Sequence, residues 1–195
     1  TVRRAGTILD FPNLTTITAE AGMMSPFGFS VDAGILTMDA LTTIDTGGIP
    51  VDFSVSGGGT FNLDGLTSLP ETSRIQLQGG TFNLPNLASF DGELDVRGAS
   101  FVPMGVEFTF NAPILTAIGG LLVDGPLTFS LPAVTDVLDS VIANGTSLVS
   151  LPGVQSLNGV QISVSGSNTV TMARSQLMLP ALTSAQDLEI TVKAG

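Results

Sequence analysis

A chain of 195 residues with 43% apolar side chains, 23 glycines and 11 prolines has the composition of many short strands joined by tight turns, and one elongated domain accounts for its length. A net charge of −11, from 6 basic and 17 acidic residues, excludes a basic face able to neutralise phosphates, so nucleic acid and anionic membranes are poor partners. With no cysteine and no histidine, the chain lacks a disulfide framework, a thiolate site and the commonest general base and metal ligand.

Ten positions, Thr60-Phe61-Asn62-Leu63-Asp64-Gly65-Leu66-Thr67-Ser68-Leu69, return seven more times with the same apolar spacing. In chain order the copies are anchored on Leu14, Leu41, Leu66, Leu87, Leu115, Val134, Val154 and Leu182, at intervals of 19 to 28 residues. A period in the twenties with variable inserts predicts a solenoid, because one unit cannot bury its own apolar face and must stack on the next.

Each copy opens on an alternating segment, the period-two pattern of a strand, with inward positions Leu9, Leu36, Phe61, Phe82, Phe110, Phe129, Val149 and Leu177. Stacked about 4.8 Å apart, Phe61, Phe82, Phe110 and Phe129 are expected to form an internal aromatic column. Between these inward positions and the next run Asp10, Thr37, Asn62, Asn83, Asn111, Ser130, Ser150 and Met178. Three stacked asparagines predict an amide ladder that holds register; a polar strip facing a ligand is the alternative.

One more inward residue follows, and then proline in six copies, with Asp39 and Asp64 in the other two. Proline cannot donate to a ladder, so this position is a corner. Beyond it come a second short strand, of the Leu-Thr-Ser-Leu type, and a third alternating run, clear at 51–55, 75–77, 94–96, 160–164 and 188–192. The expected fold is all-β: a right-handed parallel β-solenoid, or β-helix, of about eight tiers with three short strands per tier. It forms a single domain over 1–195, on the order of 40 Å long, and needs no helix and no membrane span.

Longer inserts near 21–27, 99–106 and 166–175 carry Met23, Met24, Met104 and Met172, with Phe101 beside Met104. Methionine-rich loops offer adaptable apolar surface for a partner, or fold back as small satellite cores. No charged-then-apolar leader opens the chain, and neither end shows a polar cap. The expectation is therefore a segment of a longer protein, or copies that stack on one another into a filament or layer.

The phrases Ala112-Pro113-Ile114-Leu115-Thr116-Ala117-Ile118-Gly119-Gly120-Leu121-Leu122-Val123 and 179–192 resemble the leucine-rich-repeat-like units of receptor L domains and of the related fungal cell-wall surface glycoproteins. The shared pattern is Leu-Pro-x-Leu-Thr-x-Ile, a glycine-rich turn, then Leu-x-Ile, and it covers essentially the whole chain. The resemblance implies an extracellular, non-catalytic protein. The cysteine pairs and capping elements of receptor L domains have no counterpart here, which favours a microbial surface repeat protein, fungal or bacterial. The motif consists of core and turn residues, so it speaks for fold more than for function.

Enzymes on such coils need clustered carboxylates with basic residues nearby, and the arginines Arg3, Arg4, Arg74, Arg97 and Arg174 are scattered along the repeats. Asp91, Glu93 and Asp95 are close in sequence, but Glu93 and Asp95 flank the inward Leu94 and are expected to point into solvent. Asp39 and Asp64 stack at one corner, where like charges about 5 Å apart repel by roughly 1 kcal/mol in water; a calcium ion would relieve this, and solvated turn-capping aspartates are the alternative. The column Thr15, Thr42, Thr67, Thr116, Thr135 and Thr183 has the regularity of a crystal-binding hydroxyl array. Asn13-Leu14-Thr15 and Asn144-Gly145-Thr146 are glycan acceptor sequons in a host that glycosylates. The expected function is a non-catalytic extracellular module for adhesion or recognition at a cell surface, with a surface glycan, a protein or copies of itself as partner. A self-assembling structural subunit is the first alternative and a polysaccharide-acting enzyme the second; no cofactor beyond calcium is expected.

Overall fold

The computed structural model describes residues 1–19, 27–98, 108–168 and 173–193. Among these residues there are 21 strands and no helix, and the strands wind into a parallel β-solenoid of about seven turns, close to the eight tiers expected from the repeats. No helix among the described residues is long and apolar enough to cross a membrane.

One face of the coil is a continuous ladder of nine strands: Val2–Arg3, Phe27–Asp32, Val51–Asn62, Arg74–Asn83, Ser89–Arg97, Ala117–Asp124, Asp136–Asn144, Gln161–Ser165 and Glu189–Lys193. Their pairing stacks Val2, Val31, Val55, Leu77, Val96, Val123, Ala143, Val164 and Val192 in a single inward column. Branched side chains on alternate positions suit a pleated surface buried on one side, and this column is the spine of the core.

The expected corners are β-turns of one kind. In all eight copies the anchor N–H donates to the carbonyl three residues earlier, from Leu14 to Phe11 through Leu182 to Leu179, at 3.0 to 3.4 Å. Proline at the second position of such a turn has the required φ already set and loses no needed donor, which explains its six appearances. The opposite corner, between the continuous face and the next tier's first strand, runs through left-handed backbone. Gly80 has φ 115°, and a Cβ there would meet the Gly59 carbonyl of the tier beneath, so side chains are excluded by both conformation and space.

The other two faces are interrupted. On the face of the asparagine ladder, strands Ile8–Asp10, Ile35–Thr37, the ends of Val51–Asn62 and Arg74–Asn83, and Phe108–Asn111 form one ladder. Thr128–Ser130, Leu148–Ser150 and Gln176–Met178 form a separate one. A cavity of about 240 Å³ between Phe110 and Leu131 marks the seam.

The seam corrects the expected aromatic column. The tilted rings of Phe61 and Phe82 lie 5.0 Å apart and Phe82 meets Phe110 at 6.3 Å, but among the described residues the run of ring contacts stops at Phe110 and does not continue to Phe129. It turns sideways instead: Phe53, from the continuous face, lies 5.7 Å from Phe61 and 5.9 Å from Phe82, with Phe29 stacked on it at 5.5 Å. Inward residues of the end tiers are open, with Leu9 41% and Phe11 40% exposed at one end and Ile190 60% and Val192 75% at the other.

Candidate functional site

Where the second face bends into the continuous one, two glycines let successive tiers close up. A Cβ on Gly92 would strike the Ser73 carbonyl, and one on Gly119 would strike the Asp91 carbonyl. The pairing of both neighbours with 117–124 shifts register between Ile118 and Gly120, where each neighbour carries one extra residue, a bulge. Carboxylates of several tiers line an open surface depression of about 350 Å³ along this bend, among them Asp52, Glu71, Asp91, Glu93 and Asp139, with Arg74 the one cation among the described lining residues.

Pairing fixes the floor. Asp52, Arg74, Glu93, Gly120 and Ser140 are consecutive partners across five strands of the continuous ladder, so their outward side chains form a column with a gap at Gly120. Arg74 Nε lies 3.0 Å from Glu93 Oε1, close enough for an ion pair but without hydrogen-bond alignment, and its Nη2 donates to Asp95 Oδ2 at 2.6 Å.

Asp95 differs from the expectation that it points into solvent. It faces outward from the coil but is 0% exposed, held by Arg74 from the tier below and by Arg97 Nε and Nη2 at 2.9 and 2.8 Å, with Gln76 Nε2 at 3.5 Å. Arg74 and Arg97 are therefore brought together, not scattered. The hydrogen bond to Asp95 raises the Arg97 pKa above the usual arginine value, against a smaller opposing effect of burial. Glu93 is exposed, as expected.

Asp39 and Asp64 occupy equivalent corner positions and are both exposed. The Asp39 carboxyl is pushed above its ordinary value, first by burial and then by the charges of Asp64 and Asp10. The corner thus gathers a third acidic residue that the repeat alignment had assigned to the neighbouring polar column. Among the described residues no group of three or more carboxylates is arranged to hold a metal ion, so a calcium ion here would need ligands beyond these side chains.

The threonine column has an internal use. Hydroxyls of Thr42, Thr116, Thr135 and Thr183 donate to backbone carbonyls of the preceding tier at 3.1 to 3.3 Å, tying tiers together where the second face has few strand pairs. The asparagine column is a ladder: Asn111 donates to Asn83 at 3.3 Å, Asn83 to Asn62 at 2.6 Å, and Asn62 to Thr37 at 3.3 Å. Of the two sequons, Asn13 is exposed on its corner turn, whereas Asn144 is half-buried and accepts a 2.6 Å hydrogen bond from Ser165. The partner-contact candidates Met23, Met24, Phe101, Met104 and Met172 lie outside the described residues.

Sequence reasoning did not single out Asp52, Glu71 or Asp139. They sit at or near the start of the third strand in three different tiers, and the variable connection before that strand hides their alignment. Only Asp52 had a signal, its place beside the first inward position of a third run; Glu71 and Asp139 had none. No protein-family model, curated protein or solved structure matches the chain.

Proposed function

We propose that the chain is a non-catalytic β-solenoid module for recognition or adhesion at a cell surface, with the acidic cavity at the outer corner as its contact site. The observation that carries the reading is the row of five carboxylates from several tiers along one open depression beside the continuous nine-strand face. A ladder of that length holds the groups in place before a ligand arrives, so little ordering is lost on binding. Extracellular placement rests on the likeness to L-domain-type surface repeats.

Binding is favoured over turnover because a glycosidase acid must keep its proton near neutral pH, which normally takes burial. Asp95 is the one buried carboxylate among the described residues, and both of its oxygens are occupied by hydrogen bonds from two guanidinia, so it is not open to a substrate. A glycan array and a hydrolase panel on one preparation separate the two. Bound glycan or protein without turnover supports the proposal; release of sugar from any polysaccharide, without added metal or partner, overturns it.

The exposed inward residues of the end tiers favour a second reading, tier-on-tier stacking between copies. Electron microscopy with intact mass tests it. Monodisperse particles of one chain's mass, at every salt concentration, argue against stacking between copies.

A further inference from the structure

We infer that the seam beside Phe110 binds a neutral pyranose unit of a glycan through the hydroxyls of the sugar. The seam shares no residue with the acidic depression, so this is a second contact site, and it takes from the recognition reading only the source of the sugar, a surface glycan.

The seam is one missing member of a repeated set of hydrogen bonds. On this face the residue before each corner donates its N–H to the carbonyl of the ladder-column residue in the next tier, six times over, from Phe11 to Thr37 through Leu151 to Met178, at 2.9 to 3.2 Å. The bond from Ala112 to the Ser130 carbonyl is absent, and both residues line the cavity, which leaves a backbone donor and a backbone acceptor there without a partner among the described residues. Composition supplies a reason. The inward residue before the corner is Phe, Met or Leu in the other seven copies and alanine only here, so this tier lacks the side chain that would fill the space. The asparagine ladder ends at the same place: Asn111 donates to Asn83, but its own Oδ1 accepts from no described residue.

The width of the opening selects the chemistry. On the adjoining faces the same two tiers keep normal contact, with the Thr135 N–H donating to the Thr116 carbonyl at 2.8 Å and 117–124 paired to 136–144. The edges therefore cannot part by roughly another 4.8 Å, the room an inserted peptide strand requires. A group that donates and accepts through one atom does fit: a hydroxyl takes the Ala112 N–H and gives its own hydrogen to the Ser130 carbonyl. Water satisfies the same pair, but the rest of the lining favours a sugar. Phe110, half-buried and with no ring over it from the next tier, and the corner prolines Pro113 and Pro132 offer apolar surface to ring C–H groups, while the Asn111 and Ser130 side chains bring hydrogen-bonding partners for a neighbouring hydroxyl. None of the lining residues is charged, and a net charge of −11 repels anionic sugars, so the ligand is neutral. At about 240 Å³ the cavity is smaller than the roughly 300 to 1,000 Å³ that encloses a whole small molecule, which suits one unit of a longer glycan lying across it.

Titration followed by amide nuclear magnetic resonance tests the inference on the wild type and on Ala112→Leu, with laminaritriose, cellotriose and mannotriose as neutral probes and trigalacturonate as the anionic one. The substitution restores the residue type of the other tiers, so it fills the seam with a side chain the repeat already accommodates, and circular dichroism checks the fold. The expected result is a saturable shift of the Ala112 and Leu131 amide resonances with at least one neutral trisaccharide and none with trigalacturonate. Binding followed on Leu131 is expected to weaken at least about tenfold in Ala112→Leu. If that variant does not fold, the wild-type map decides: shifts confined to 110–115 and 130–133 support the inference, and shifts spread over the surface overturn it. Absence of a saturable shift with every neutral probe shows a seam that holds water only and overturns the inference, as does equal binding of trigalacturonate or binding that a folded Ala112→Leu leaves unchanged. Shifts that fall instead around Glu93 and Asp139 overturn the inference and leave the recognition reading standing.

Discussion

Arg74 reaches one tier along the coil to place its Nη2 2.6 Å from Oδ2 of Asp95, a carboxylate with no exposed surface. Arg97, two residues from Asp95 on the same strand, closes over it from the other side. Removing the carboxylate leaves two guanidinia facing each other. Asp95→Ala is expected to lose about 2 to 4 kcal/mol, toward the low end for a broken buried pair because both arginines are partly exposed and rehydrate. Urea unfolding measures it, and a loss under about 0.5 kcal/mol would show that water already satisfies both cations.

The seam beside Phe110 separates two truncations that look equivalent in the repeat. Phe82 is fully buried among Phe53, Phe61 and Phe110, and Phe82→Ala should cost about 3 to 5 kcal/mol. Phe110 is only partly buried and borders a cavity of about 240 Å³, so Phe110→Ala should cost less, about 1 to 2 kcal/mol. Equal losses would mean that the seam is closed in solution.

Backbone conformation gives a stabilising variant. Ala33 has φ 56° at the corner where other tiers place glycine, a region in which a Cβ is strained. Ala33→Gly should therefore raise stability by up to about 1 kcal/mol, the reverse of the usual entropic cost of glycine. Gly80→Ala is the counterpart and should be strongly destabilising, since its Cβ would meet backbone of the tier beneath. Thermal melts of both variants against wild type decide the pair.

The acidic corner carries a pH dependence whose sign follows from linkage. Asp39 titrates higher when folded than its ordinary value of 3.8, so around its titration range the folded chain binds more protons than the unfolded one. This group's contribution to stability therefore falls as pH rises from the ordinary value through the folded one. Asp39→Asn should flatten that fall and leave stability at neutral pH equal to or slightly above wild type. If calcium occupies the corner, it should raise the melting temperature of wild type, and Asp39→Asn with Asp64→Asn together should abolish the rise. An equal rise in the double variant would place any calcium elsewhere.

The sequence by itself determined the coil. Period-two alternation names the inward residues, proline at one repeated position names a turn that needs no donor, and a unit too small to bury its own face has to stack. All eight corner bonds and the asparagine ladder follow from local pattern in this way. Relations between unequal tiers were decided only in three dimensions. Connections of different length decide which of their residues reach one stretch of surface, so Asp52, Glu71, Asp91 and Asp139, from different positions of the repeat, line a common depression. The seam between Phe110 and Phe129 and the grip of Arg74 on Asp95 across two paired strands likewise appear only when the strands are set side by side. A ladder bond depends on position within a tier, which the repeat records; a cavity depends on how the tiers are offset, which only the packed backbone sets.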